Sequence, residues 1–164
     1  MDDGHIHFCQ EKSKVDLKQL KELFRVTAFW AQNRKIEDLE VAIANSDPVV
    51  SVWDSDRLIG FARATSDCVY RATIWDVLIH PDYQGSGLGR KLIQTILSHP
   101  RLNRVERVYL LTTYQQGFYA RIGFEYSNPS TTMVLHNNKP LTGSVPASVM
   151  QSHLALGAQN TASS

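Results

Sequence analysis

The stretch from Val77 to Leu97 constrains this chain more than any other. An apolar, β-branched run ends at Pro81, and Gly85, Gly87 and Gly89 follow within five residues. Leu88, Leu92, Ile93, Ile96 and Leu97 then recur at the spacing of one helical face. Strand, glycine turn and helix in succession aim several backbone N–H groups at one point. The positive end of a helix dipole lies at the same point. The arrangement predicts an anion site, most usefully for phosphate. It is not a dinucleotide fingerprint, because Gly85-Ser86-Gly87-Leu88-Gly89 lacks the Gly-x-Gly-x-x-Gly order. It is not a P-loop, because no Gly-Lys-Ser/Thr closes it.

The rest of the chain supplies a frame for that turn. Ile6 and Phe8 share one face of a short first strand over His5 to Cys9. Asp16 is placed to cap a helix carrying Leu17, Leu20, Leu23, Phe24, Thr27 and Ala28 at helical spacing. A second helix is expected from Ile36 to Ala44, stopped by Asn45-Ser46-Asp47-Pro48. Three strands follow as a meander, Val49 to Trp53, Leu58 to Thr65 and Tyr70 to Ile79, with turn residues between them. The helix from Leu88 to Ser98 crosses to a strand at Val108 to Leu111, expected parallel to the third meander strand. A short helix fits Gln115 to Ile122, with Gly123 as a left-handed cap. A last hairpin is expected from Phe124 to Tyr126 and Thr131 to His136. The fold class is α/β, a mixed sheet antiparallel at its start and flanked by helices. The domain is expected over residues 1–136. Residues 137–164 turn to Asn, Ser, Thr, Gly and Ala and read as a flexible tail, with a brief helix over Val145 to Leu156 as the competing reading.

Composition excludes several functions. At 164 residues one domain is the default, with 43% hydrophobic and 20% charged residues as in ordinary globular proteins. A net charge of +1 gives no case for nucleic acid or an anionic membrane. Cys9 and Cys68 have no metal or disulfide spacing and no His/Asn context for a nucleophile, and a reducing compartment suits them. The six histidines form no metal motif. The opening MDDGHIHFCQ is too acidic for a secretory signal or transit peptide. The expected setting is the cytoplasm, or the plastid stroma if the chain is encoded or processed there. The expected state is a monomer or homodimer.

A second stretch joins the first: Gln116-Gly117-Phe118-Tyr119-Ala120-Arg121-Ile122-Gly123-Phe124. Gln84-x-x-Gly87-x-Gly89, followed after a helix and a strand by Phe118-Tyr119-x-x-x-Gly123-Phe124, resembles the GCN5-related N-acetyltransferase (GNAT) superfamily. The resemblance covers roughly Ile6 to His136. Gly60 to Asp67 and Ala72 to Val77 look more narrowly like its plant-plastid and cyanobacterial branch. That branch includes serotonin N-acetyltransferases, some of which also acetylate protein lysines.

The resemblance implies acetyl-CoA as cosubstrate, no metal, and direct attack of a primary amine on the acetyl carbon. It implies a pyrophosphate held by backbone groups of Gly85, Ser86, Gly87, Leu88, Gly89 and Arg90, beside Gln84. Arg90 and Lys91 either add charge there or face solvent. Val77, Leu78 and Ile79 would pair with the pantetheine amides, one N–H polarising the thioester carbonyl. Thr112 stands where many members carry an Asn that bonds the pantetheine arm, and its hydroxyl is a substitute. Tyr119 is the implied general acid toward the leaving thiolate.

An alkyl ammonium of pKa about 10.4 is deprotonated in only about one molecule in 2,500 at neutral pH, so the proton needs an acceptor. Asp76 is the candidate base or amine anchor, being acidic in an apolar strand, with a satisfied strand carboxylate as the other reading. His80 is the alternative base, or a plain turn residue before Pro81. Phe29, Trp30 and Trp75 are candidates for an aromatic acceptor pocket or for the core, and Tyr114 for the acceptor side. The expected acceptor is an arylalkylamine such as serotonin, with protein lysine second. A silent acyl-CoA-binding module is the reading from another class.

Overall fold

The computed structural model describes residues 5–126 and 132–136. Alternating apolar residues in the first half build one sheet. Strands β1 (Ile6–Cys9), β2 (Val49–Asp54), β3 (Arg57–Ser66), β4 (Arg71–Ile79) and β5 (Arg107–Tyr109) lie side by side in sequence order. The first four pair antiparallel, and β5 pairs parallel to β4. Helix α1 (Leu17–Thr27) starts where Asp16 accepts hydrogen bonds from the N–H groups of Lys18 and Gln19, at 2.9 and 3.0 Å. Helix α2 (Ile36–Ala44) follows it, α3 (Leu88–Ser98) makes the crossover, and α4 (Gln116–Ala120) is a short last turn.

The strand period of two sorts the core into two layers. Val49, Leu58 and Phe61 pack with Leu20, Leu23 and Phe24 of α1 and with Leu39 and Ile43 of α2. Their neighbours Val50, Ile59 and Ala62 face the other way, against Leu88, Leu92, Ile93 and Ile96 of α3. Leu92, Ile93 and Ile96 are fully buried, each stabilising the fold by about 1.5–3 kcal/mol. Helix α3 is thereby clamped on one face of the sheet, and its N-terminus is fixed beside the end of β4.

Two departures from sequence expectation shape that region. The first concerns β5, expected over Val108 to Leu111. The β4–β5 ladder runs only through Arg71↔Arg107, Ala72↔Val108 and Thr73↔Tyr109. Leu110 packs against the α3-side core without pairing, and Leu111 is exposed. Past Thr73, β4 keeps its β3 partner and loses β5, so the two strands part.

The second departure is a β-bulge. Phe61 pairs with Leu78 and Arg63 with Trp75, so Asp76 and Val77 together oppose Ala62. Asp76 takes a positive φ of 55°, a conformation costing a non-glycine residue about 1–2 kcal/mol. The extra residue resets the alternation. Ile74, Val77 and Ile79 all join the α3 side, while Leu78 joins the α1 side.

The chain divides into units 1–125 and 126–164. The expected hairpin does not form among the described residues: neither 124–126 nor 132–136 is strand. Phe124 gives its N–H to the Tyr119 carbonyl at 3.1 Å, closing the α4 turn instead of a ladder. The rest of that hairpin, and the expected tail over 137–164, lie outside the described residues. Among the described residues no helix is long and apolar enough to cross a membrane.

Candidate active site

The parting of β4 and β5 opens a cleft of about 1060 Å3. Its walls contain Phe29, Trp30, Trp75, Asp76, Val77, Leu78, Ile79, Gln84, Gly85, Gly87, Gly89, Arg90, Thr112, Tyr114 and Tyr119. Residues from widely separated stretches of sequence thus face one space. Three expected residues do not line it. Leu88 is turned into the core, and Ser86 donates its hydroxyl to the Tyr83 carbonyl at 2.6 Å. His80 is engaged outside the cleft wall, with Nε2 2.9 Å from Arg57 Nη2 and Nδ1 3.6 Å from Asp82 Oδ2.

One end of the cleft is built from backbone. Gly85 and Gly87 have φ values of 78° and 86°, and a Cβ on either would meet open space. Conformation, not crowding, demands glycine there. Gly87 begins α3 with no side-chain cap, and the first intrahelical bond is Lys91 N–H to the Gly87 carbonyl. The N–H groups of Leu88, Gly89 and Arg90 therefore lack helical acceptors. No acidic residue sits in this first turn. Arg90 lines the cleft here, a cation at the positive helix end, where an anionic partner offsets the unfavourable dipole. Lys91 is turned away, its Nζ 4.8 Å from the Phe8 ring centre. Gln84 Nε2 donates to the Ile79 carbonyl at 2.9 Å, tying the turn to the end of β4. At Gly89 the constraint is crowding, since a Cβ there would stand 3.3 Å from Phe118 Cζ. The first motif and the second are in contact through that glycine.

Past Thr73 the β5-facing edge of β4 has no ladder partner among the described residues. Backbone polar groups on such an edge need a ligand or water. Thr112, on the opposite wall, accepts the Gln115 N–H at its Oγ1, 3.1 Å away, which leaves its hydroxyl proton to donate. Tyr119 packs edge-on to Phe118 and Phe124, with ring centres 5.0 and 5.9 Å apart. Burial pushes its phenol above the usual tyrosine value, so it is a neutral donor throughout the physiological range.

The other end of the cleft is built from side chains. Phe29 and Trp30 form an edge-to-face pair at 5.2 Å, and they are 73% and 64% exposed. They rim the cleft and are not core. Trp75 is anchored by Nε1 to Thr65 Oγ1 at 2.9 Å, and Tyr114 is exposed. The Asp76 side chain is 7% exposed and is held by two guanidinium groups, both at Oδ2: Arg63 Nε at 2.7 Å and Arg34 Nη1 at 3.0 Å. Sequence reading missed both arginines. Arg63 had a signal, as a charge in the apolar run from Ile59 to Ala64 that needed a partner. Arg34 had none, lying in a loop remote from Asp76 in sequence. Phe118, Tyr83, Leu110 and Gln115 also line the cleft. Cys9 and Cys68 are free thiols and do not line it. Among the described residues no cluster of His, Cys, Asp or Glu could hold a metal.

The model of the acetyltransferase (GNAT) family matches residues 17–124, and the chain belongs to that family. A protein of Prochlorococcus marinus named uncharacterized N-acetyltransferase ycf52-like is 45% identical over 112 residues, covering 66% of this chain and 61% of that one. Histone acetyltransferase TAP1 of Glycine max is 38% identical over 104 residues, 56% of this chain and 45% of that one. A crystal structure from Xanthomonas campestris pv. campestris, described as belonging to the GNAT family, superposes with a TM-score of 0.72 at 28% identity. That match covers 80% of this chain and 93% of the other. The chain spans about three fifths of the length of the first curated relatives it matches.

Proposed function

We propose that this chain is an acetyl-CoA-dependent N-acetyltransferase that moves an acetyl group directly to a primary amine. One observation carries the reading. An uncapped helix start, an unladdered strand edge and a half-buried neutral phenol meet in one cleft. The N–H groups of Leu88, Gly89 and Arg90 and the Gly85–Gly87 turn suit a pyrophosphate, with the Arg90 side chain adding charge. Val77, Leu78 and Ile79 suit strand-like pairing with pantetheine amides, and the Thr112 hydroxyl suits the same arm. Acetyl-CoA supplies the activated thioester.

The chain's own residues do the rest. A β4 N–H at the bulge polarises the thioester carbonyl. The amine nitrogen bonds to the acetyl carbon as the carbon–sulfur bond breaks. Tyr119 gives its proton to the departing sulfur and is reprotonated from solvent. The amine's own proton leaves to water at the open mouth of the cleft. Asp76 acts in this reading as a positioning residue and not as the base. A proton delivered to it would remove the one negative charge that faces two guanidinium groups.

The acceptor reading is an arylalkylamine of the serotonin type, supported by the aromatic rim of Phe29, Trp30, Trp75 and Tyr114. Protein lysine is the second reading, favoured by the exposure of that rim and by the name of the Glycine max relative. The test is amine-dependent release of CoA thiol across a panel of serotonin, tryptamine and a lysine peptide, with Tyr119→Phe alongside. Turnover of arylamines supports the first acceptor, and turnover of the peptide alone supports the second. Tight CoA binding without turnover of any amine would leave a binding module and end the enzyme reading.

A further inference from the structure

Charge at the acceptor end of the cleft does not balance. Asp76 is the one acidic residue lining the cleft among the described residues. It faces Arg34 and Arg63, so two positive charges meet one negative charge. Arg63 is committed: it is 16% exposed, bonds Asp76 through Nε and reaches Ser46 Oγ through Nη1 at 3.1 Å. Arg34 is committed only in part: its side chain is 34% exposed and lines the cleft, and Nη1 makes an ionic contact with Asp76 Oδ2 at 3.0 Å. Among the described residues its guanidinium makes no hydrogen bond within normal geometry. Its central carbon stands 4.7 Å from the ring centre of buried Phe24, which fixes the position of the group. A guanidinium held against a ring, with one nitrogen on Asp76 and the residue lining a cleft, leaves further donors for a carboxylate.

The excess charge also discriminates among amines. A bare arylalkylamine arrives as a cation and meets a net positive end, which disfavours it. An amine that carries its own carboxylate neutralises that charge and satisfies the open donors.

We infer that Arg34 binds a carboxylate of the acceptor, and that the acceptor is an aromatic amine bearing an acid group next to its amine, as in an aromatic amino acid. The inference rests on the acetyl-transfer reading, keeps its aromatic acceptor and replaces the serotonin-type amine by its carboxylate-bearing counterpart. Phe29, Trp30 and Trp75 take the ring, while Arg34 takes the acid.

The test compares serotonin with 5-hydroxytryptophan, which share one skeleton and differ by the carboxylate, in the wild type, Arg34→Gln and Arg34→Lys. The wild type is expected to show a kcat/KM at least ~10-fold higher for the amino acid, expressed in KM, as for a hydrogen bond to a charged group. Arg34→Gln brings the ratio near one, and Arg34→Lys keeps part of it. The ratio is taken within each variant, so a loss of folded protein cancels. An equal or better rate with serotonin in the wild type overturns the inference, and so does an unchanged ratio in Arg34→Gln. If neither amine turns over, the arylalkylamine reading of the acceptor fails, and the inference is then read from binding. In the presence of CoA, N-acetyl-5-hydroxytryptophan should bind at least ~10-fold more tightly than N-acetylserotonin in the wild type alone. Equal or absent binding overturns it.

Discussion

The two ends of the cleft are made of different materials. The end proposed to take phosphate consists of backbone: two glycines at positive φ, three uncapped N–H groups and a strand edge released from its ladder. The acceptor end consists of side chains drawn from three places, the loop after α1, β3 and the bulge of β4. A backbone site depends on conformation, and conformation leaves glycines at fixed spacing. A side-chain site depends on tertiary approach and leaves little local trace. In the proposed function the first end takes the phosphate and amide arm of the cosubstrate, and the second sets the choice of acceptor.

The largest expected effect falls on the phenol that lines the cleft. Tyr119→Phe should lower kcat by about 100-fold with little change in KM for either substrate, the usual scale for losing one general acid. Steady-state kinetics reads this directly, and an unchanged kcat would move the proton donor elsewhere.

Next comes Asp76→Asn, which strikes the acceptor end. Fully buried ion pairs cost about 3–5 kcal/mol when one partner is removed. Arg34 is a third exposed, so a loss of about 2 kcal/mol is expected, seen as a lower denaturant midpoint. The shape of the pH–rate profile should survive. Intact stability with loss of the acidic limb would instead make Asp76 the base, and the contrast between the ends would lose its side-chain half.

Gly87→Ala strikes the phosphate end. The methyl group meets open space but the residue sits at φ 86°, so a cost of about 1 kcal/mol is expected, together with weaker CoA binding by calorimetry. Unimpaired CoA affinity would show that the turn does not hold the cosubstrate.

The smallest effect is in alkaline stability. Burial raises the Tyr119 phenol above its ordinary value in the folded state. Below the unfolded value of about 10 both states are neutral and stability is flat in pH. As pH rises beyond that, the unfolded state ionises first and stability falls, until the folded value is also passed. Denaturant midpoints above about pH 9 should therefore decline less steeply in Tyr119→Phe.

The same contrast explains what could be read in advance. Asp16 capping α1, the α3 stripe and the glycine turn are local, because each rests on contacts within a few residues. The early end of β5 was hidden because Leu110 and Leu111 are apolar whether or not they are laddered. The bulge announced itself only as an acid in an apolar strand, and that sign could not name the partners of Asp76. They are Arg63 and Arg34, and Arg34 carries no sequence mark that joins it to Asp76.

Amide hydrogen exchange with and without CoA tests the central claim most directly. The N–H groups at the start of α3 and along the free edge of β4 are held open for the cosubstrate in this account. CoA should slow exchange at Leu88, Gly89 and Arg90 and over Val77 to Ile79, leaving β1 and β2 unchanged. Tight CoA binding with no slowing at either segment would contradict it.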